Sequence, residues 1–272
     1  MPRVGYQGEP GAYSEDAVRL RFGDAEPQPL ASVREVFEAV EVGSCDFGVV
    51  PLENSQAGSI NETYDLLVRH GVRIAGEVVI RVDHALLGLP GTQPADLARV
   101  YSHPQALAQC EELLVNLGVE AVPDKDTAGA ARRVAEEADP KQGAIAGRRA
   151  AELYGLEVLA EGVQTYPENY TKFAVIGHVP VGAWGEPDTT SIVFAVSDVP
   201  GSLHACLEGF AAQGINLRKI ESRPQGGRPW TYLIYLDFEA GSDGERARSA
   251  LEVLAAHTSF VRVLGSYPAW RD

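Results

Sequence analysis

The chain has 272 residues, 45% of them hydrophobic and 22% charged, and a formal net charge of −15. This is the composition of one large or two ordinary globular domains. The acidic surplus argues against nucleic acid or an anionic membrane as partner, because no basic excess exists to neutralise phosphates, yet it permits a locally positive site for a small anion.

The three cysteines, Cys45, Cys110 and Cys206, join no CxxC or Cys/His cluster, which argues against zinc and against a disulfide framework. Free thiols in a reducing compartment are expected. The opening MPRVGYQGEPGAYSE lacks the apolar stretch of a signal peptide. No apolar run reaches the roughly eighteen residues of a membrane span. A cytoplasmic protein is expected.

In chain order, RVGYQG reads as a strand and GAYSEDAVRLRF as a helix. SVREVFEAVEVG is helical, CDFGVVPLE a strand, SINETYDLLVRHG helical and VRIAGEVVIRVDHALLGL extended. ARVYS is a strand, HPQALAQCEELLVNLG one helix, EAVPD a strand and TAGAARRVAEEAD a helix. GAIAG, helical RRAAELYG, and the strands LEVLAEGV and TKFAVIGHV close the region. This alternation predicts an α/β fold with a mainly parallel sheet. PVGAWGEPD, rich in proline and glycine and without periodicity, reads as a linker. Beyond it, TTSIVFAV, GSLHACLEGFAAQG, INLRKIESRP, a GG turn, WTYLIYLDFE, DGERARSALEVLAAH and SFVRVLGSY give βαββαβ, the ferredoxin-like order.

Ligands of parallel α/β folds bind where strands end and helices begin, and helix N-termini attract anions. Several junctions here are polar: Gly11-Ala12-Tyr13-Ser14, LENSQAGS after VVP, Ser102-His103-Pro104-Gln105, and Thr127 as N-cap of a helix opening Ala128-Gly129-Ala130. Each alone is an ordinary cap. Together, hydroxyls and amides with few charges suit a small polyanion such as a dicarboxylate. The chain has no GxxxxGK[ST], GxGxxG or GxSxG, which argues against a phosphate loop, a dinucleotide site or a nucleophile elbow. The chemistry left is proton donation, charge stabilisation and positioning.

Jointly, GYQGEPGAYSE, VVPLENSQAGSINETYDLL, YSHPQALAQC, DTAGAA, GAIAGRRAAELYGL and ENYTKFAVI resemble, in order, the blocks of the prephenate dehydratase family. GSLHACLEGFAAQGINLRKIESRP resembles the ACT regulatory domain. The resemblance implies a catalytic domain over residues 1–179, with two α/β lobes like those of type II periplasmic binding proteins. The chain would cross between lobes near Val78–Val82 and Ala160–Gln164, with a linker at 180–188 and a ferredoxin-like ACT domain over 189–272. The implied reaction converts prephenate to phenylpyruvate with loss of carbon dioxide and water, in phenylalanine biosynthesis. It needs no metal and no organic cofactor.

The family's TRF motif falls on Thr171-Lys172-Phe173. Thr171 is thereby implied to assist departure of the ring hydroxyl, as a hydrogen-bond partner or relay. Lys172 stands where arginine is usual, which keeps the charge and loses the planar fork. Asn54, Ser102 and Gln109 match further catalytic positions, and Glu53 and Ser55 flank Asn54 in the ENS block. Substrate contacts are implied at Gly11, Ala12 and Ser14, at Glu53 and Ser55, at Thr127 and Ala128, and at Lys172 and Phe173. In the ACT region the implied phenylalanine contacts are Gly201, Ser202, Leu203, Asn216 and Leu217, together with Glu221, Ser222 and Arg223 of the ESRP block. That site would lie at the interface of a homodimer or homotetramer and give feedback control. Two alternatives stay open: arogenate dehydratase, and a non-catalytic amino-acid sensor, against which the intact Thr171 motif argues.

Overall fold

A computed structural model describes residues 1–180, 183–197, 199–225 and 231–271. The expected linker residues Val181 and Gly182, the GG turn at Gly226-Gly227, and Trp230 lie outside the described residues. The chain divides into two compact units, Met1–Tyr64 with Val78–Phe173, and Asp65–Glu77 with Ala174–Asp272.

The first unit holds two α/β sheets. Its first lobe runs β1 (Arg3–Gln7), α1 (Tyr13–Phe22), β2 (Glu26–Leu30), α2 (Val33–Glu41), β3 (Phe47–Asn54) and the short β4 (Gly58–Ser59). Then follow α3 (Asn61–Arg69) and β5 (Arg73–Arg81), both divided between the units. The second lobe runs β6 (Ala85–Gly88), β7 (Arg99–Ser102), α4 (Pro104–Gln109), α5 (Glu111–Leu117), β8 (Glu120–Pro123), α6 (Thr127–Glu137), β9 (Gln142–Ala146), α7 (Arg148–Tyr154) and β10 (Glu157–Glu161). Residues 162–169 lead back to β11 (Tyr170–Gly177) in the first sheet.

β1 pairs in parallel with β2 and β3, giving the order β11-β3-β1-β2. In the second sheet β7 is parallel to β8 and β9, β6 is antiparallel to β9 and β10, and the order is β10-β6-β9-β7-β8. Each lobe therefore starts its outgoing helices at the carboxyl ends of parallel strands, the usual place for a ligand.

Local chemistry explains the elements. α2 opens on Ser32, whose hydroxyl accepts from the Glu35 N–H, and it buries Val33, Val36, Phe37 and Val40, a single helical stripe. Leu86, Val100 and Ile145 are fully buried under the second sheet, each worth about 1.5–3 kcal/mol.

Three features differ from the sequence reading. β2, EPQPL, reads as no element because two prolines interrupt it. It is an edge strand, and the Glu26 and Leu30 backbone groups bond toward the first residues of the chain. Pro27 and Pro29, two residues apart, lack their N–H groups on the outer side, where no ladder bond is lost. The long extended run is two strands, parted at Val82–His84. HPQALAQCEELLVNLG is two helices, broken at Cys110, whose φ of −111° leaves the helical range.

The second unit contains β12 (Thr189–Val196), α8 (Ser202–Ala212), β13 (Leu217–Pro224), β14 (Tyr232–Phe238), α9 (Glu245–Ala256) and β15 (Thr258–Tyr267). The order β13-β14-β12-β15 is antiparallel throughout. Its core comprises Ile192, Phe194, Phe210, Phe238 and Leu254. β5 extends this sheet, with Ile74 the parallel partner of Gly265. A Cβ at Gly265 would run into the Ile74 backbone, so only glycine fits. The Arg262 guanidinium donates to the carbonyls of Val68 and His70, at 2.8 and 2.6 Å, closing the end of α3. All three cysteines are free and buried. No described helix is long and apolar enough to cross a membrane.

Candidate active site

A cavity of about 370 Å³ in the first unit collects the polar junctions of both lobes, a size suited to a small ligand. The start of α1 contributes Ala12, Tyr13 and Ser14; β3 ends in it at Asn54, and β11 offers Thr171 and Phe173. The second lobe contributes His103, Gln105 and Gln109 around α4, and Lys125, Asp126 and Thr127 at the start of α6. Val82 and His84, on the segment between the lobes, complete the wall. A wider groove of about 810 Å³ shares Gln105 and Gln109 but is otherwise lined by surface residues such as Glu111, Val115 and Tyr166. It includes neither the end of β3 at Asn54 nor the starts of α1 and α6, so the smaller cavity is the better site.

The cavity floor is a chain of side-chain hydrogen bonds with a fixed direction. Asn54 Oδ1 accepts from the backbone N–H groups of Gln56 and Ala57, at 3.1 and 3.0 Å. The other end of that amide is therefore the donor. Asn54 Nδ2 reaches Asn169 Oδ1 at 2.8 Å, the Tyr170 carbonyl at 3.1 Å and Thr171 Oγ1 at 3.0 Å. Asn169, wholly buried, donates through Nδ2 to Gln109 Oε1 at 3.1 Å. The same Gln109 oxygen lies 3.0 Å from His84 Nε2. His84 Nδ1 in turn lies 3.0 Å from the Tyr13 hydroxyl, whose oxygen is also 2.8 Å from the Asp83 carbonyl, so its single hydrogen is shared between two acceptors when Nδ1 is bare. Two backbone N–H groups thus orient a run of amides that ends on both Thr171 and His84.

The residues expected from sequence fall into three groups. Asn54, Gln109, Thr171, Phe173, Ala12, Ser14 and Thr127 line the cavity. Ser102, Ser55, Gly11 and Ala128 act behind it. Ser102 is fully buried and donates its hydroxyl to the Ile145 carbonyl at 2.6 Å, linking β7 to β9. Ser55 accepts from the Tyr170 N–H, and its own N–H bonds the Tyr170 carbonyl, which holds the entrance of β11. Gly11 has φ +91°, and a Cβ there would meet Ala150 of α7 at 3.0 Å, so the close approach of the lobes requires glycine. Ala128 is core. Glu53 and Lys172 form the third group and do not line the cavity. Alternation along β11 sends Thr171 and Phe173 to one face and Lys172 to the other. The cation that does line the cavity is Lys125.

The cap of α6 is also corrected. Asp126, not Thr127, is the N-cap and accepts from the Gly129 N–H at 2.7 Å. Aspartate is the stronger cap, and this leaves the Thr127 side chain at the cavity. α1 opens at Ala12 without any side-chain cap, and its first turn already carries Glu15 and Asp16, which offset its positive end. Burial lowers the pKa of His84 and of His103, favouring neutral imidazoles. It also pushes the Tyr13 hydroxyl far up, so Tyr13 is a hydrogen-bonding group and no acid.

The lobes are tied beside the cavity. Arg149 of α7 lies 3.3 Å from Glu15 of α1, and the Tyr154 hydroxyl donates to the Pro10 carbonyl at 2.8 Å. Burial alone would raise the Glu15 carboxyl, but the Gly11 N–H, Arg19 and Arg149 together hold it below its ordinary value. The sequence offered little notice of Asn169, His84, Tyr13 or Lys125. Asn169 stood out only as part of a polar strand entrance.

In the second unit, Gly201 has φ +86° and precedes α8, which begins with Ser202 and Leu203. Asn216 precedes β13, which carries Leu217, Glu221, Ser222 and Arg223 as the sheet's edge strand. Along β13 the exposure alternates, with Glu221 and Arg223 half-buried and Ser222 exposed. Glu221 is 3.3 Å from Lys219, and Arg223 holds both Asp65 oxygens at 3.1 and 3.2 Å.

Comparison with known proteins agrees with this architecture. The prephenate dehydratase profile matches residues 4–180 and the ACT domain profile residues 190–256. Arogenate dehydratase/prephenate dehydratase 1, chloroplastic, of Arabidopsis thaliana is 44% identical over 281 residues, covering 98% of this chain and 72% of its own. The crystal structure of prephenate dehydratase in complex with L-Phe from Arthrobacter aurescens superposes with a TM-score of 0.89 at 30% identity, over 98% of this chain and 90% of that one. A solved structure described as GqqA, a novel type of quorum quenching acylase, has a TM-score of 0.90 at 34% identity over 98% of each chain. The chain thus belongs to the prephenate dehydratase family, and it ends in an ACT domain.

Proposed function

We propose that this protein converts prephenate to phenylpyruvate, expelling carbon dioxide and water, and that phenylalanine controls it through the ACT domain. The observation that carries the reading is the Thr171 hydroxyl, buried at the cavity wall with its oxygen held by Asn54. The elimination takes up one proton: the ring hydroxyl leaves as water, the ring carboxylate leaves as carbon dioxide, and the electrons of that broken bond complete the aromatic ring. Because Thr171 Oγ1 accepts from Asn54, its own hydrogen is free to reach the departing hydroxyl. A threonine hydroxyl is a weak acid, so it serves as a hydrogen-bond partner that passes on a proton rather than as its source. Lys125, at the cavity wall, suits a carboxylate of the dianion. Aromatisation supplies the driving force, and the protein's share is positioning and charge stabilisation.

Catalysis is assigned to residues 1–179 and control to 189–272. Phenylalanine would bind between the ACT domains of a homodimer or homotetramer, near Gly201 and the β13 edge, with control through a quaternary state it favours. The three buried free thiols suit a reducing, cytoplasmic setting. A second reading, the same elimination on arogenate, is favoured by the double name of the plant relative. The purified chain is assayed with each substrate, with and without phenylalanine. Phenylpyruvate from prephenate is the expected product. Turnover of arogenate alone selects the second reading, no turnover of either by folded protein ends both, and indifference to phenylalanine removes the control.

A further inference from the structure

His84 has no place in the elimination as described above, yet it is 2% exposed, lines the cavity and sits in a fully organised setting. Its backbone N–H donates to Gln164 Oε1 at 2.9 Å. Its ring meets Tyr13 edge-on, with centroids 5.6 Å apart. Its two ring nitrogens face Gln109 and Tyr13. A histidine held at three points on the segment joining two lobes is more than a space-filling side chain.

The tautomer follows from the direction of the amide chain. Asn54 is fixed by two backbone N–H groups, so Asn169 must present its oxygen to Asn54 and its nitrogen to Gln109. Gln109 must then present its oxygen, and that oxygen is also what His84 Nε2 meets. A carbonyl oxygen only accepts, so Nε2 carries the proton. Nδ1 is left with its lone pair toward the Tyr13 hydroxyl, whose one hydrogen is shared between Nδ1 and the Asp83 carbonyl. Carboxamides hold hydrogen bonds but do not pass protons along, so the chain sets geometry rather than supplying acid.

We propose that His84 is a positioning residue for the elimination: its Nε2–H locks the Gln109 carboxamide, which through Asn169 and Asn54 sets where the Thr171 hydroxyl points. The members come from the inter-lobe segment, from α4, from the approach to β11 and from the end of β3. The hydroxyl is therefore aligned only when those segments are assembled. The inference rests on the cavity being the site of the elimination proposed above.

Two measurements on the full chain test it. With ¹⁵N-labelled histidine, the imidazole shifts at neutral pH are expected to show Nε2 protonated and Nδ1 bare; a bare Nε2 overturns the proposal even if every variant misfolds. In kinetics, His84→Leu is expected to lower kcat by about 10²-fold, the scale of a misplaced catalytic group, with KM within about threefold. His84→Gln, whose amide can donate where Nε2 does, is expected to recover most of that loss. The Thr171→Ala/His84→Leu double variant is expected to be no slower than Thr171→Ala alone, because His84 acts through the hydroxyl already removed. Additive losses, or a glutamine variant as slow as leucine, overturn the proposal. A folded wild type with no turnover defeats the functional reading and this inference together. An active wild type with a bare Nε2 defeats the inference alone.

Discussion

Asn54 Nδ2 donates to Thr171 Oγ1 across 3.0 Å, although the two are 117 positions apart in the chain. The contact decides which way the hydroxyl can act, because an oxygen that already accepts is left to donate. Thr171→Ala is expected to lower turnover by roughly 10²-fold or more, the scale of one lost proton-transfer or electrostatic contribution. Thr171→Ser, which keeps the hydroxyl, is expected to retain much more. Phenylpyruvate formation measures both, and near-normal turnover of a folded alanine variant removes Thr171 from the mechanism.

Asn54→Asp is a sharper probe of the same contact. The carboxylate still accepts from Gln56 and Ala57, but it faces Asn169 Oδ1, the Tyr170 carbonyl and Thr171 Oγ1 with no amide hydrogen to give. Loss of stability of about 1–3 kcal/mol is expected from the unsatisfied buried groups, together with a fall in kcat. Denaturant titration and turnover check it; an aspartate variant equal to wild type in both would show that the amide orients nothing.

The choice between two lysines can be made by KM. Lys125 lines the cavity and Lys172 does not. Lys125→Met is expected to raise KM about tenfold or more, the worth of one charge-assisted hydrogen bond, and Lys172→Met to change it less. The opposite ranking would make Lys172 the carboxylate partner.

The fold leaves His84 legible only after the fact, and the same holds for much of the site. Helices and strands announce themselves within a dozen residues by periodicity, so α2 and β9 could be read directly. β2 could not, because the prolines that mark a loop are harmless on an outer edge. Asn169 lies in an irregular segment that reads as a solvated connection, and His84 in a break inside what reads as one extended run. Their burial arises because the Val82 N–H bonds the Asn169 carbonyl, at 2.8 Å, bringing the two inter-lobe segments together. Ser102 shows the converse: its motif position draws attention in the sequence, and only the fold reveals that its hydroxyl donates to the Ile145 carbonyl.

Acid should test the buried imidazole. Burial holds the pKa of His84 below its ordinary 6.5, even against the pull of the Gln109 hydrogen bond and the Asp83 charge. The Tyr13 hydroxyl on its other side stays un-ionised. The unfolded chain then binds this proton more tightly than the folded one. The stabilising contribution is complete above pH 6.5 and is lost as pH falls below it. The melting temperature of wild type is expected to drop more steeply between pH 7 and 5 than that of His84→Gln. Parallel slopes would show that His84 is not neutral in the fold.

Recombination sees a different protein from the one that the family profiles see. The profiles part between residues 180 and 190, yet Asp65–Glu77 belongs to the C-terminal compact unit. Arg262 closes the end of α3 from 192 and 194 residues away, and Gly265 is a glycine because of the Ile74 backbone. A crossover in the linker would graft a foreign β15 onto an inherited α3 and β5, leaving two carbonyls without their guanidinium and a tight strand contact between unmatched surfaces. Inheritance of the regulatory half by simple exchange is thereby discouraged. A viable chimera has to carry the 65–77 segment with its C-terminal partner, as two pieces moved together.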